Sequence, residues 1–186
     1  MPCKLNEYIP SSFGTYLKEK KDIKELFLSL FGLSQGDKDI VLKELETSME
    51  GKAKTQDDYY TTEGVISTVL KKYPGDIGCV FPLMMNVVHV APGEALYLEP
   101  DTLHAYVKGN GMELMTASDN VLRGGLTPKR IDLKELSSIL YFGPSFPENV
   151  KKREKDGIIN YMTPSPDFML SRMDDGIFNA PLSVDA

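Results

Sequence analysis

The side chains best able to do chemistry crowd into residues 93–129, GEALYLEPDTLHAYVKGNGMELMTASDNVLRGGLTPK. Residues 103–107 and 112–117 alternate as strands do, and Lys108-Gly109-Asn110-Gly111 between them has turn composition. If Val107 pairs with Met112, Tyr106 falls opposite Glu113 and His104 opposite Met115. Period-two alternation then puts His104, Tyr106 and Glu113 on one face and Ala105, Val107 and Leu114 on the other. An imidazole, a phenol and a carboxylate make a poor dry core, because each needs a polar partner when buried. They suit a ligand pocket. The next stretch, 118–129, carries Asp119, Arg123, Gly124, Gly125, Pro128 and Lys129 without helix or strand period, and is expected to be a rigid loop at the sheet's rim. Arg123, with its planar fork, and Lys129, as a point charge, are the cations expected to meet an anionic ligand.

The rest of the chain must position these residues. A strand over 95–98 precedes the hairpin, and the apolar run 80–90, VFPLMMNVVHV, is expected to be a buried strand kinked near Pro82, with His89 a satisfied strand or core histidine. Residues 1–73 read as helical. Asp22 caps a helix with Ile23, Leu26, Phe27 and Leu30 inward, ended by Gly32. A second helix is expected over 37–49, with Ile40, Val41, Leu45 and Met49 as its stripe. A third begins near Thr55 or Asp57 and ends at Lys72, with Tyr59, Val65, Ile66, Val69 and Leu70 inward, stopped by Pro74-Gly75. Asp132 starts a short capped helix bearing Leu133, Leu136 and Ile139. Residues 143–157, GPSFPENVKKREKDG, read as a solvated linker, and strands return over 158–163 and 167–172.

Composition narrows the function classes. A chain of 186 residues with 41% hydrophobic and 26% charged residues is globular rather than wholly disordered. It has no apolar run long enough to span a bilayer, and MPCKLNEY at its start is no signal peptide. A net charge of -6 repels nucleic acid and anionic membranes, so a phosphorylated ligand would need a local basic pocket. Cys3 and Cys79 stand apart without metal-ligand spacing, as inert thiols of a reducing, cytoplasmic environment.

The block YPGDIGCVFPLMMNVVHVAPGEALYLEPDTLHAYVKGNGMELMTASDNVLRGGLTPKRID, residues 73–132, resembles the second conserved block of the type I mannose-6-phosphate isomerases. LHAY, SDNVLRGGLTPK and PGEALYL carry the resemblance. It implies an α+β chain in three parts. These are part of a helical domain (1–73), the second half of a cupin-like catalytic β-domain (74–142), and a linker with the start of a C-terminal jelly roll (143–186). It also implies one zinc ion per intact site, held by a glutamine, two histidines and a glutamate, of which only His104 falls in this block. Zinc as Lewis acid would stabilise the enediolate formed as mannose 6-phosphate and fructose 6-phosphate interconvert. Arg123 matches the family's catalytic arginine. Glu113 and Asp119 are the carboxylates that move protons or orient the groups that do, and sequence does not choose between them. Tyr106 and Lys129 are the expected substrate contacts.

Plainer roles compete with each of these. Tyr106 and Glu113 could form an ordinary cross-strand hydrogen bond, Lys129 could be one more solvated lysine, and Asp119 could make an Asx-turn that only holds Arg123. The alternative function is a metal-free cupin-like module that binds a sugar phosphate through Arg123 and Lys129 without turnover. About four strands in the central region and two near the C-terminus are too few for two closed jelly rolls of about eight strands each. Missing segments of the same protein, or a partner chain, are therefore expected to complete the barrel, and the chain alone is expected to be inactive.

Overall fold

The structure, a computed structural model, describes residues 8, 22–52, 58–117, 121–145, 147 and 149–173. They fall into two compact units. The first comprises Met1–His89, Leu98–Gly111 and Asp119–Phe146; the second comprises Val90–Tyr97, Met112–Ser118 and Pro147–Ala186.

The first unit is built on helices whose starts are written locally. Helix α1, Ile23–Gly32, begins where Asp22 accepts the Glu25 N–H at 2.7 Å, and it buries Leu26, Phe27 and Leu30. Helix α2, Gln35–Met49, starts two residues earlier than its apolar stripe indicates, because Ser34 caps it by accepting the Asp37 N–H. Val41, Leu42, Leu45 and Met49 are buried, whereas Ile40 is exposed; Leu42, not Ile40, completes the stripe. Helix α3, Thr62–Lys72, starts later than expected. Asp58 is the reason: its Oδ1 accepts from the N–H groups of Tyr60 and Thr61, and its Oδ2 from the Thr61 hydroxyl. The Thr61 oxygen in turn accepts the Gly64 N–H, so the chain is held in a capping turn until Thr62. Tyr8 packs into this unit, its hydroxyl donating to Glu63 and its carbonyl accepting from the Ser48 hydroxyl.

The run expected as a buried strand forms none: residues 80–83 close a 3-10 helix, Ile77–Leu83, all of it buried, and residues 84–90 join no strand, with Asn86, Val88, His89 and Val90 exposed. A continuous apolar run cannot distinguish a strand from a buried helical segment. Here Asp76 decides, accepting the Gly78 N–H at 2.7 Å and starting the turn, while Pro82 removes an N–H that a central strand would need. Phe81 enters an aromatic cluster with Phe27 (centroids 4.9 Å apart) and Phe31 (5.6 Å), and Phe27 also meets Phe142 at 5.5 Å. Leu30, Leu45, Ile66, Val41 and Val80 are fully buried, each contributing ~2 kcal/mol of transfer free energy. Helix α4, Leu133–Ile139, forms as expected on the Asp132 cap and inserts Leu136 into the same core.

The second unit holds a small antiparallel sheet in the order β1-β2-β3. Strand β1 is Lys151–Lys155, β2 Ile158–Met162 and β3 Leu170–Met173. The last two correspond to the expected strands. The first corrects the linker expectation: KKREK is fully exposed and reads as solvent-loving, yet it pairs with β2 in the register Arg153↔Asn160. Asp156 and Gly157, both at positive φ (53° and 77°), form the two-residue hairpin turn. An isolated bridge joins Leu96 to Asn149, the Val150 N–H donates to the Ala95 carbonyl, and the Tyr161 hydroxyl donates to that of Gly93.

The hairpin expected over 103–117 is not formed. No residue from 102 to 117 joins a strand ladder, and beyond Leu103 the segment is exposed. An isolated two-stranded hairpin is marginal in water, and the described residues supply no third strand to flank this one. No helix among the described residues is long and apolar enough to cross a membrane.

Candidate functional site

His104 lies in the first unit, exposed, with Nδ1 2.8 Å from the Thr102 carbonyl. In the tautomer where Nδ1 carries the proton, that bond leaves Nε2 as the ring's free lone pair, the arrangement a metal-ligating imidazole uses. Tyr106 is beside it, with ring centroids 6.0 Å apart and planes at 69°. The two rings are neighbours although the strands expected to bring them together are not formed. Glu113 belongs to the second unit and is exposed. Asp119 lies outside the described residues. His89, expected as a satisfied strand or core histidine, lies in no strand, is exposed and packs against Tyr60, with ring centroids 4.8 Å apart.

The loop carrying the cations is held from beneath. Gly124 is buried, Gly125 has φ 145° and Leu126 φ 53°. A Cβ on Gly125 would lie 2.8 Å from a Phe81 ring carbon, and one on Gly78 would lie 3.0 Å from the Leu126 nitrogen. Glycine at both positions lets the loop backbone lie directly on the 3-10 helix. The Thr127 N–H donates to Asp76 Oδ2 at 3.1 Å, and the Lys129 N–H donates to the Thr127 hydroxyl oxygen at 3.2 Å. Arg123 and Lys129 are exposed at the two ends of this anchored stretch.

Two further features bear on what the chain can bind. A cleft of about 620 Å³ is lined by Lys38, Lys72, Asp76 and Thr127 among others, but not by His104, Arg123 or Lys129; it is separate from the expected site residues. No group of three or more potential metal-ligating side chains comes together among the described residues. A zinc ion needs about four ligands, so the described residues do not fit it by themselves. Cys79 is no candidate ligand or nucleophile. It is fully buried, its thiol donates to the Tyr73 carbonyl at 3.4 Å, and burial, then the neighbouring Asp76 charge, pushes its pKa from 9.0 up to about 12. Cys3 lies outside the described residues.

Comparison with known proteins gives a consistent picture. The chain is 41% identical over 122 residues to mannose-6-phosphate isomerase of Salmonella typhimurium, covering 66% of this chain and 30% of that protein. It is 33% identical over 132 residues to a probable mannose-6-phosphate isomerase of Caenorhabditis elegans (70% and 31%). Over 75 residues it is 48% identical to the Rattus norvegicus mannose-6-phosphate isomerase (40% and 18%). In three dimensions it is similar to the Salmonella typhimurium enzyme bound to its substrate and zinc. The TM-score is 0.77 at 29% identity, covering 91% of this chain and 44% of that one. No family model matches. The chain spans about 30% of the length of the first two of these relatives.

Proposed function

We propose that this chain is a portion of a zinc-dependent aldose-ketose isomerase that interconverts mannose 6-phosphate and fructose 6-phosphate. The observation that carries the reading is the joint similarity, in sequence and in fold, to isomerases of that activity, one of them seen with its substrate and zinc. The relatives named above are isomerases and do not favour the metal-free binding module. Residues 74–142 are read as part of a cupin-like β-domain and 143–186 as the start of a second, following a partial helical domain over 1–73, in a cytoplasmic enzyme.

Within that reading each residue has a task set by its chemistry. Bound zinc supplies Lewis acidity, and His104 contributes one of its ligands; the remaining ligands come from outside the described residues. Arg123 holds a permanent positive charge where oxyanion charge develops during proton transfer between the adjacent sugar carbons. Glu113 or Asp119 moves that proton or orients the group that does. Lys129 contacts the phosphate as a point charge, and Tyr106 hydrogen-bonds a sugar hydroxyl. Partner segments, from the same protein or another chain, complete the barrel over residues 102–117.

A chimera tests this. Residues 73–132 replace the matching stretch of the Salmonella typhimurium isomerase, and isomerisation is assayed with zinc present. The chimera is expected to be active. Arg123→Ala should lower kcat by about 10²–10³, the loss expected when a charge-stabilising donor is removed, and His104→Ala should lower zinc content. A folded, zinc-loaded chimera without activity would sink the proposal.

A further inference from the structure

We infer that Asp76 is a positioning residue: it clamps the loop bearing Arg123 and Lys129 onto the 3-10 helix. The inference rests on the proposed function only for what those cations then meet.

The carboxylate divides its two oxygens between near and distant chain. Oδ1 accepts the Gly78 N–H at 2.7 Å, an ordinary Asx-turn that starts the 3-10 helix. That local bond would explain an aspartate here, but it leaves Oδ2 unaccounted for. Oδ2 accepts the N–H of Thr127, 51 residues away, at 3.1 Å. Such charge-assisted bonds to backbone N–H groups are the stronger kind. Thr127 lies between the two cations along the loop, and its hydroxyl oxygen accepts the Lys129 N–H. One carboxylate therefore fixes the turn that leads to Lys129. On the other side of the anchor, Gly125 and Leu126 are pressed against Phe81 and Gly78, which leaves Arg123 only two residues from a fixed point. Because the 3-10 helix is wholly buried, the anchor is rigid. Loop placement is thus inherited from the helical core rather than from any sheet.

Asparagine at this position offers one carbonyl oxygen for two donors. The local Asx-turn, two residues away, keeps that oxygen, and Thr127 is released. The experiment is amide hydrogen exchange by NMR on the full 186-residue chain, comparing wild type, Asp76→Asn and Asp76→Ala. In Asp76→Asn, Thr127 should exchange at least about tenfold faster while Gly78 and the α3 amide of Val69 keep wild-type rates. In Asp76→Ala both Thr127 and Gly78 should lose protection. Should the alanine variant fail to fold, the asparagine variant decides. A fructose 6-phosphate titration read at residues 121–129 adds the functional arm, with weaker binding by about threefold or more in an Asp76→Asn chain that remains folded. Unchanged Thr127 protection in Asp76→Asn overturns the clamp. So does a uniform loss that includes Val69, since that marks a general structural role. Selective release of Thr127 in a chain that shows no response to fructose 6-phosphate supports the clamp, and the chimera then decides the sugar-phosphate reading separately.

Discussion

Gly124 and Gly125 adjoin in sequence, yet adding a methyl group to each should have consequences of very different size. At Gly124 the new Cβ would lie 2.6 Å from Leu103 Cδ1, and at Gly125 it would lie 2.8 Å from Phe81 Cε2. Distance alone predicts that Gly124→Ala costs more. The neighbours reverse this order. Leu103 Cδ1 is the far end of a half-buried side chain, and moving it aside costs about 0.5–1.5 kcal/mol as an off-rotamer shift. Gly124 keeps φ out of the left-handed region, so alanine recovers ~0.4–1 kcal/mol by restricting the unfolded chain. The net change for Gly124→Ala is about 0–1 kcal/mol. Phe81 cannot step aside: it is 4% exposed and wedged against Phe27 and Phe31. The methyl would sit about 0.7 Å inside the normal contact distance of about 3.5 Å, an overpacking cost of ~1–3 kcal/mol. The φ of 145° adds ~1–3 kcal/mol for a side chain in a region that only glycine populates readily. After the same unfolded-state gain, Gly125→Ala should lose roughly 1–5.5 kcal/mol. Urea unfolding followed by circular dichroism at constant m measures both. A Gly125→Ala variant within about 0.5 kcal/mol of wild type, or a Gly124→Ala variant equally costly, would refute the seating of the loop on the 3-10 helix.

Two more outcomes follow from individual side chains. Cys79, studied in a Cys3→Ser background, should resist thiol reagents at about pH 8 in the folded chain and react at the rate of unfolding. Because folding favours its neutral form, its contribution to stability is complete below pH 9.0 and is lost as pH rises toward about 12; urea midpoints across that range check the sign. His104→Ala should leave Tm unchanged, because the ring is exposed and its one described bond is to the Thr102 carbonyl two residues away; a drop of several degrees would show that the imidazole is structural.

How much of this was legible in the sequence depended on how local the determining interaction is. Asp22 capping α1 and Asp132 capping α4 were readable because cap and donor lie three residues apart. The start of α3 was not, because Asp58 and Thr61 set up a two-step cap that delays the helix past the first plausible aspartate. Burial without alternation hid the 3-10 helix in the 80–90 run, although the Asp-x-Gly at 76–78 was a visible Asx-turn signal. Charge misled in the other direction. KKREK looked like linker, while Asp156-Gly157 beside it carried the hairpin signal that explains β1. In the candidate site, period two put His104, Tyr106 and Glu113 on one face of a hairpin that does not form; the His104 and Tyr106 rings still lie with centroids 6.0 Å apart, while Glu113 falls in the second unit. No spacing rule could have found Asp76, because its decisive partner, Thr127, is brought to it only by the folded core.

The two kinds of site residue consequently differ in what supports them. The loop between Arg123 and Lys129 rests on a core that this chain completes for itself, with Phe27, Phe81 and Leu136 among its buried members and Leu126 and Ile131 packed against it. The segment of His104 and Tyr106 has no such support. Its backbone joins no ladder, and Tyr106, Val107, Met112, Leu114 and Met115 all stand exposed along residues 106–115. An imidazole becomes a strong, oriented metal ligand when neighbouring groups fix its tautomer and exclude water. At His104 the Thr102 carbonyl is positioned to meet the first requirement, and the exposure of the ring leaves the second unmet. The loop bearing Arg123 and Lys129 thus rests on the described core, whereas residues 102–117, His104 among them, join no strand ladder among the described residues.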